Sequence, residues 1–241
     1  MNPIQRLNEI WSAPYMQTLP AQVKERGYGI NKEITAKDIL IIGMNPAYHE
    51  NEHGSQLWDY NLALQNKTDS YFSLIRKMLK NETIDLCPQA TISDLFYFRE
   101  TNQEFLQKHL LNCIPFVVDQ VNLTMHIIED IVRPKLIIVK NKEAAAYFGK
   151  LYQEKGWVWM GYQFQHIIDT PCGELCRIVG LIDSNQRIAP EFKQTNINGS
   201  YVLFTKHLQF MKAEERPTPQ FLQDILTCRD AELNILKYAA L

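Results

Sequence analysis

Short apolar runs alternate with segments of helical periodicity along this chain, and this alternation constrains its fold more than any other feature. The apolar runs predict buried strands at 38–43, 91–98, 134–139 and 201–206, and a hairpin within 156–182. Apolar residues at helical spacing predict helices at the N-terminus and at 71–79, 115–131, 142–148 and 219–238. Strands that alternate with helices favour a three-layer α/β/α fold around a mostly parallel central sheet.

Composition and length narrow the class of protein. The chain has 241 residues, of which 46% are hydrophobic, and this predicts a single globular α/β domain over 1–241. A formal net charge of −2 disfavours a protein that coats nucleic acid through a uniformly positive surface. We find no apolar stretch of membrane-spanning length and no signal-peptide pattern at the N-terminus, which excludes a membrane partner and favours a cytoplasmic (or nuclear) location.

The cysteines predict neither a disulfide framework nor a metal centre. Their number, five, is odd, and without a secretion signal reduced thiols are expected. Cys172 and Cys176, with His166 nearby, are the one candidate for a metal site. A second Cys or His pair at zinc-ligand spacing is missing, so buried or surface thiols are the favoured interpretation and we expect no metal and no cofactor.

The predicted strand at 38–43 ends at Gly43 and leads into a polar loop that is a candidate site. Asn45, Tyr48, His49 and His53 follow in this loop. In parallel α/β sheets, ligands bind beyond the carboxyl ends of the strands, so chemistry is expected here. Asn-Pro is also a common turn signal, and a plain turn at 45–46 is the alternative interpretation.

The segment 43–49, Gly-Met-Asn-Pro-Ala-Tyr-His, resembles the first motif of the uracil-DNA glycosylase superfamily, in the branches that carry Gly-Met-Asn-Pro. Four further segments resemble superfamily elements in order and spacing: 92–97, 114–116, 133–146, and the loop that begins at His207. The resemblance spans about residues 38–210 and implies a uracil-DNA glycosylase-like fold. It also implies hydrolysis of the N-glycosidic bond of a uracil-like or deaminated base in DNA, without a metal or organic cofactor.

The resemblance implies two catalytic residues. Asn45 would position the attacking water, although a neutral amide cannot act as a general base. His207 would donate a hydrogen bond to the departing base as negative charge develops on it. A histidine at a strand end is also an ordinary polar residue, and that interpretation stays open.

The resemblance also implies a base-binding pocket. An aromatic ring under the base is expected about thirteen residues after Asn45, which leads to Trp58, with Tyr48 and Tyr60 as alternatives. Core packing is the competing role for Trp58. Asp94 stands where the superfamily has an asparagine that reads uracil, and an ionised carboxylate can only accept hydrogen bonds. Either the preferred base is not uracil, or Asp94 is held protonated by burial, or catalysis has been lost.

Phosphate contacts need local positive charge, for which Lys140, Lys142, Lys206 and Lys212 are candidates. The expected partner is DNA with a flipped or single-stranded base. The iron–sulfur branch of the superfamily needs four cysteine ligands, and only Cys113 falls near an equivalent place, so no cluster is expected. The alternative function is a nucleic-acid or nucleotide binding module that keeps this fold but has lost catalysis.

Overall fold

A mixed six-stranded sheet with helices on both faces forms the body of the protein. The computed structural model describes residues 1–50, 52–101, 103–150, 158–227 and 235–239. The strands are β1 (Gly29–Asn31), β2 (Ile39–Gly43), β3 (Gln56–Trp58), β4 (Ala90–Asp94), β5 (Leu136–Lys140), β6 (Tyr162–Thr170), β7 (Gly173–Leu181) and β8 (Tyr201–Thr205). The helices used below are α1 (Pro3–Ser12), α2 (Ala21–Arg26), α3 (Tyr60–Gln65), α4 (Ser70–Leu79), α5 (Glu104–His109), α6 (Ile114–His126), α7 (Lys142–Phe148) and α8 (Pro219–Thr227).

The sheet has the strand order β4-β2-β5-β8-β7-β6. The first four strands in this order pair in parallel, whereas β7 and β6 are antiparallel to their neighbours. The four strands predicted from the apolar runs are therefore adjacent in one sheet, as expected. The predicted hairpin is β6 and β7, and its antiparallel pairing makes the sheet mixed. Residues 156–157 of that prediction lie outside the described part of the chain.

Alternate side chains of the central strands enter two separate hydrophobic cores. Leu40, Ile42 and Val139 pack with residues of α1, α6 and α7, whereas Ile41 and Ile138 pack with residues of α3, α4 and α8. A strand that is buried on both faces reads as a continuous apolar run, which is why these runs were visible in the sequence. The arrangement is consistent with three α/β/α layers. None of the described helices combines the length and the apolar character needed to cross a membrane.

Several boundaries differ from the prediction. β4 ends at Asp94 rather than at residue 98, because residues 95–98 leave the sheet and all four are buried in one core. The backbone N–H groups of Tyr97 and Phe98 bind the side chain of Gln120 instead of a neighbouring strand. The helix predicted at 115–131 is α6 followed by a π-helical turn, Ile127–Val132, that ends at Arg133 with φ of 49°. Of the predicted helix 219–238, Pro219–Thr227 is α8 and Leu236–Tyr238 is a short 3₁₀ turn, while residues 228–234 lie outside the described part of the chain.

Local signals account for two helices beside the candidate site. Asn141 caps α7 by accepting a hydrogen bond from the Glu143 backbone N–H (2.8 Å), and Gly149 ends that helix with φ of 111°. Asp69 caps α4 in the same way, accepting from Tyr71 (2.8 Å) and Phe72 (3.0 Å). The cap at Asp69 fixes the start of α4 and therefore the position of Tyr71 in its first turn.

A candidate active site at the carboxyl edge of the sheet

Four parallel strands end along one edge of the sheet and bring together polar residues that are distant in sequence. Gly43 at the end of β2 pairs with Asp94 at the end of β4. Lys140 at the end of β5 pairs with Thr205 at the end of β8, and His207 follows two residues later. This edge is where ligands bind in open α/β sheets.

The carboxyl group of Asp94 lies close to the backbone of Gly43 in the neighbouring strand β2. A side chain at Gly43 would collide with Asp94 Oδ1, so the glycine is what allows this approach. Among the residues that the structure describes, none donates a hydrogen bond to the Asp94 carboxylate. Burial raises the pKa of this group to about 6, and the positive charge of Lys140 opposes the shift. Asp94 therefore titrates nearer neutral pH than an ordinary aspartate, and its ionised form can accept hydrogen bonds.

Lys140 is a buried lysine, with 1% of its surface exposed. Its ammonium group donates a hydrogen bond to the Tyr71 hydroxyl and lies 4.3 Å from the centre of the Tyr71 ring. Burial lowers the pKa of Lys140 to about 8, while the charge of Asp94 acts in the opposite direction. We expected Lys140 to contact phosphate. Its side chain is instead buried at the edge of the sheet, where its ammonium group contacts Tyr71.

His207 completes the cluster from the end of β8. Its ring stacks on Tyr71 with the centroids 6.0 Å apart and the planes at 28°. Burial, and then the charge of Lys140, lowers the pKa of His207 below its usual value, so the imidazole is neutral at pH 7. Nδ1 accepts a hydrogen bond from the Gln209 backbone N–H (3.4 Å), which places the proton on Nε2. His207 can therefore donate one hydrogen bond from a neutral ring.

Tyr71 is the member of this cluster that the sequence interpretation missed. It lies in the first turn of α4, and in the sequence it reads as one apolar position of an amphipathic helix. The Asp69 cap and the adjacent aromatic pair Tyr71 and Phe72 were the only signals, and neither indicates chemistry. Only the packing of α4 against the sheet brings Tyr71 to Lys140 and His207. We call Asp94, Lys140, Tyr71 and His207 the edge cluster.

The aromatic residues predicted to hold a base lie in three different places. Trp58 is in β3 and contacts Phe72 (5.7 Å between ring centroids), which in turn contacts Tyr71 (5.1 Å). Tyr60 is 5% exposed, and its hydroxyl donates to the Cys87 carbonyl (3.4 Å), so it packs in the core. Two guanidinium groups contact the ring of Tyr48, that of Arg26 at 4.5 Å and that of Arg99 at 5.5 Å from the ring centre. Trp58 is thus the one of these three that is linked to the edge cluster through the aromatic contacts of the described residues.

Asn45 joins two loops. Its amide donates to the carbonyl groups of Pro46 (3.1 Å) and Glu100 (2.6 Å), and its oxygen accepts from the Gln103 side chain. These contacts use both the donor and the acceptor of the amide and tie the loop after β2 to the segment after β4. They do not support the expectation that Asn45 positions a water molecule.

The other predicted phosphate ligands, Lys142, Lys206 and Lys212, are exposed. Lys206 and Lys212 flank a short turn, Leu208–Phe210, in which Phe210 is 81% exposed and its ring lies 5.6 Å from that of His207. Phe210 is therefore an exposed aromatic ring in contact with the edge cluster, with a lysine on each side of its turn in the sequence.

The chemistry available to the edge cluster follows from its charges. It offers a carboxylate that can accept a proton, a buried amine, and an imidazole whose lowered pKa favours its neutral form. Within the described residues, His, Cys, Asp and Glu side chains do not form a group of three or more that could hold a metal ion. The carboxylate, amine and imidazole of the edge cluster are groups that can take part in acid–base or covalent chemistry.

Comparison with known proteins does not assign the chain to a family. No protein-family model matches the sequence, and no curated protein matches it either. The resemblance to uracil-DNA glycosylases therefore depends on the short motifs alone, and the function has to be argued from the edge cluster.

Proposed function

We propose that this protein is an N-glycosyl hydrolase with a uracil-DNA glycosylase-like fold, acting on a uracil-like or deaminated base in flipped or single-stranded DNA. The observation that carries the proposal is the position of the Asp94 carboxyl group, which accepts no hydrogen bond from the described residues and lies at the same edge of the sheet as His207. A desolvated carboxylate without a partner is costly, and such groups cluster at functional sites.

Asp94 is the best candidate for the group that activates water. Because the amide of Asn45 binds loop carbonyls, we assign this role to the carboxylate, whose pKa of about 6 suits a general base at neutral pH. The negative charge would also stabilise the positive charge that develops on the sugar as the bond to the base breaks. This assignment replaces the expected role of Asp94 as the reader of the base edge.

His207 supplies the second half of the reaction. Its Nε2–H can donate to an oxygen of the departing base, where negative charge accumulates in the transition state. Tyr71 holds the imidazole ring in place by stacking. Phe210, Lys206 and Lys212 form the adjacent surface through which a single strand would bind.

An excision screen tests the proposal. Single-stranded and duplex oligonucleotides that carry uracil, hypoxanthine, xanthine or a mismatched pair are incubated with the protein, and abasic sites are then cleaved with alkali. We expect excision of at least one base, rising with pH through about 6 as Asp94 ionises. Asp94→Asn should lower the rate by about 10²-fold or more, as loss of a general base does.

Asp38→Asn is the matched control for this substitution. Asp38 lies at the other end of β2, where it pairs with Lys135 (3.1 Å) on the opposite edge of the sheet. This variant should keep the wild-type rate. If Asp94→Asn instead increases uracil excision, the carboxylate reads the base and does not activate water. Folded wild-type protein that excises none of these bases would overturn the proposal.

The contacts of Asn45 favour one alternative, a nucleic-acid or nucleotide binding module. An amide that ties two loops together has a structural role, which is what a site without catalysis would retain. This alternative predicts that the protein binds short single strands with the same affinity in wild type and Asp94→Asn and leaves every base in place.

A further inference from the structure

Lys140 is the one member of the edge cluster that the hydrolytic scheme does not use. Within the described residues, Tyr71 is the hydrogen-bond partner of its ammonium group, and Asp94 acts on it by its field without a direct ion pair. Lysines rarely have only 1% of their surface exposed unless they are paired. The edge cluster therefore keeps a buried amine close to the carboxylate proposed to activate water.

Burial changes the chemistry of such an amine. Desolvation disfavours the ammonium form, so the pKa of Lys140 falls and the neutral, nucleophilic form becomes accessible near neutral pH. Three titratable groups influence this amine: Asp94 through its charge, Tyr71 through its hydroxyl, and His207, which is close enough for Lys140 to lower its pKa. Such groups can carry protons to and from the amine during a reaction.

We propose that Lys140 forms a Schiff base with the aldehyde carbon of an abasic deoxyribose. This inference rests on the proposed function, because removal of a base leaves a sugar whose C1′ is in equilibrium with an open-chain aldehyde. The lone pair of Lys140 Nζ forms the bond to C1′, and the carbonyl oxygen leaves as water after taking up two protons from the nitrogen. The product is an imine between the protein and the DNA.

The position of Lys140 suits this reaction. The reacting carbon would stand beside Asp94, which is where the proposed hydrolysis takes place, so no second binding site is required. Asp94 and Tyr71 each keep part of their surface exposed and form the side from which a sugar could reach the amine. The Tyr71 hydroxyl that Lys140 contacts would be replaced by the incoming carbonyl group.

Reductive trapping tests the Schiff base directly. A single-stranded oligonucleotide with one preformed abasic site is incubated with wild-type protein and sodium borohydride, which reduces an imine to a stable secondary amine. Digestion and mass spectrometry then identify the modified lysine. We expect the adduct on Lys140, and none with a tetrahydrofuran analogue of the abasic site, which has no aldehyde.

Matched variants support the assignment. Lys140→Met removes the amine and keeps a side chain of similar length, and it should reduce trapping at least tenfold. Lys135→Met removes an exposed lysine at the other end of β5 and should leave trapping unchanged. The mapping in the wild-type protein decides the question even if Lys140→Met does not fold.

The outcomes separate this inference from the proposed function. Because the abasic site is preformed, trapping does not require excision, and excision without trapping on Lys140 would refute the Schiff base alone. An adduct confined to exposed lysines such as Lys142, Lys206 or Lys212, or no adduct above the level of the analogue, would overturn the inference.

Discussion

At the scale of single residues, the edge cluster concentrates unfavourable free energy. Burial raises the pKa of Asp94 and lowers the pKa of Lys140, so it disfavours the charged form of each group. Groups of this kind destabilise the folded protein and are retained where they serve function. Their effect on the free energy of unfolding should therefore be measurable even before a substrate is known.

Asp94→Asn should increase the free energy of unfolding at pH 7 and have little effect at pH 4. The pKa of Asp94 is higher in the folded protein than in the unfolded chain, so the folded state binds more protons between about pH 4 and 6 and loses stability as pH rises through that window. The asparagine lacks this charge, and we expect a gain of about 1–2 kcal/mol at pH 7. Urea unfolding at both pH values measures it; an equal effect at pH 4 and pH 7 would show that the carboxylate is not desolvated.

Gly43→Ala should displace the Asp94 carboxylate, because the added methyl group would occupy the place of Asp94 Oδ1. We expect the free energy of unfolding to fall by about 1 kcal/mol because of the added crowding. The rate of excision should fall at least tenfold. In an Asp94→Ala background the same glycine substitution should cost nothing. A double-mutant cycle by urea unfolding tests this coupling, and purely additive effects would contradict it.

At the scale of the elements, the start of α4 decides where Tyr71 stands. Asp69 binds the backbone N–H groups of Tyr71 and Phe72, and Tyr71 then contacts both Lys140 and His207. A helix cap thus positions a tyrosine that links two strands of the edge.

Asp69→Ala should lower stability by about 1 kcal/mol, as loss of an N-cap does, and should also shift the NMR signals of the His207 ring as Tyr71 moves. Asp59→Ala is the matched control, since Asp59 caps α3 through the Leu62 N–H (2.9 Å). It should cost similar stability and leave the His207 signals in place. Equal shifts in both variants would mean that the cap does not act through Tyr71.

At the scale of the whole molecule, a net charge of −2 does not prevent individual lysines from contacting phosphate. Lys142, Lys206 and Lys212 are exposed in segments that follow the carboxyl ends of β5 and β8. Because phosphate contacts release counterions, a local positive surface is enough to make binding depend on salt.

Binding of a short single-stranded oligonucleotide should weaken as salt increases. The double variant Lys206→Ala, Lys212→Ala should reduce the slope of log Kd against log salt by about 1.4, from about 0.7 for each single-strand phosphate contact. Lys135→Ala, on the opposite edge, should leave the slope unchanged. Fluorescence anisotropy at several salt concentrations measures this slope. If oligonucleotide binding by the wild-type protein does not depend on salt, Lys206 and Lys212 do not contact the DNA phosphates.

Whether a feature could be predicted from the sequence depends on how far apart in the chain the interacting residues lie. The positions of the four central strands and the carboxyl edge were predictable, since buried strands and turns leave local patterns. Helix caps also leave such patterns, as Asn141 and Gly149 show at the two ends of α7. The short strand Gln56–Trp58 carries no such pattern, because it pairs only with the three-residue β1. The end of β4 at Asp94 was also missed, because burial of residues 95–98 continues without a sheet.

The sequence by itself determined that an α/β sheet would place Asn45 and His207 beyond the carboxyl ends of its strands. Only the tertiary structure decided what surrounds them: Lys140 turned inward to Tyr71, 69 residues away in sequence, and Asn45 bound to the carbonyl of Glu100, 55 residues away. Hydrophobic periodicity reports which face of an element is buried, and this is a local property. The partner of a polar side chain depends on how distant elements pack, and no periodicity records that choice.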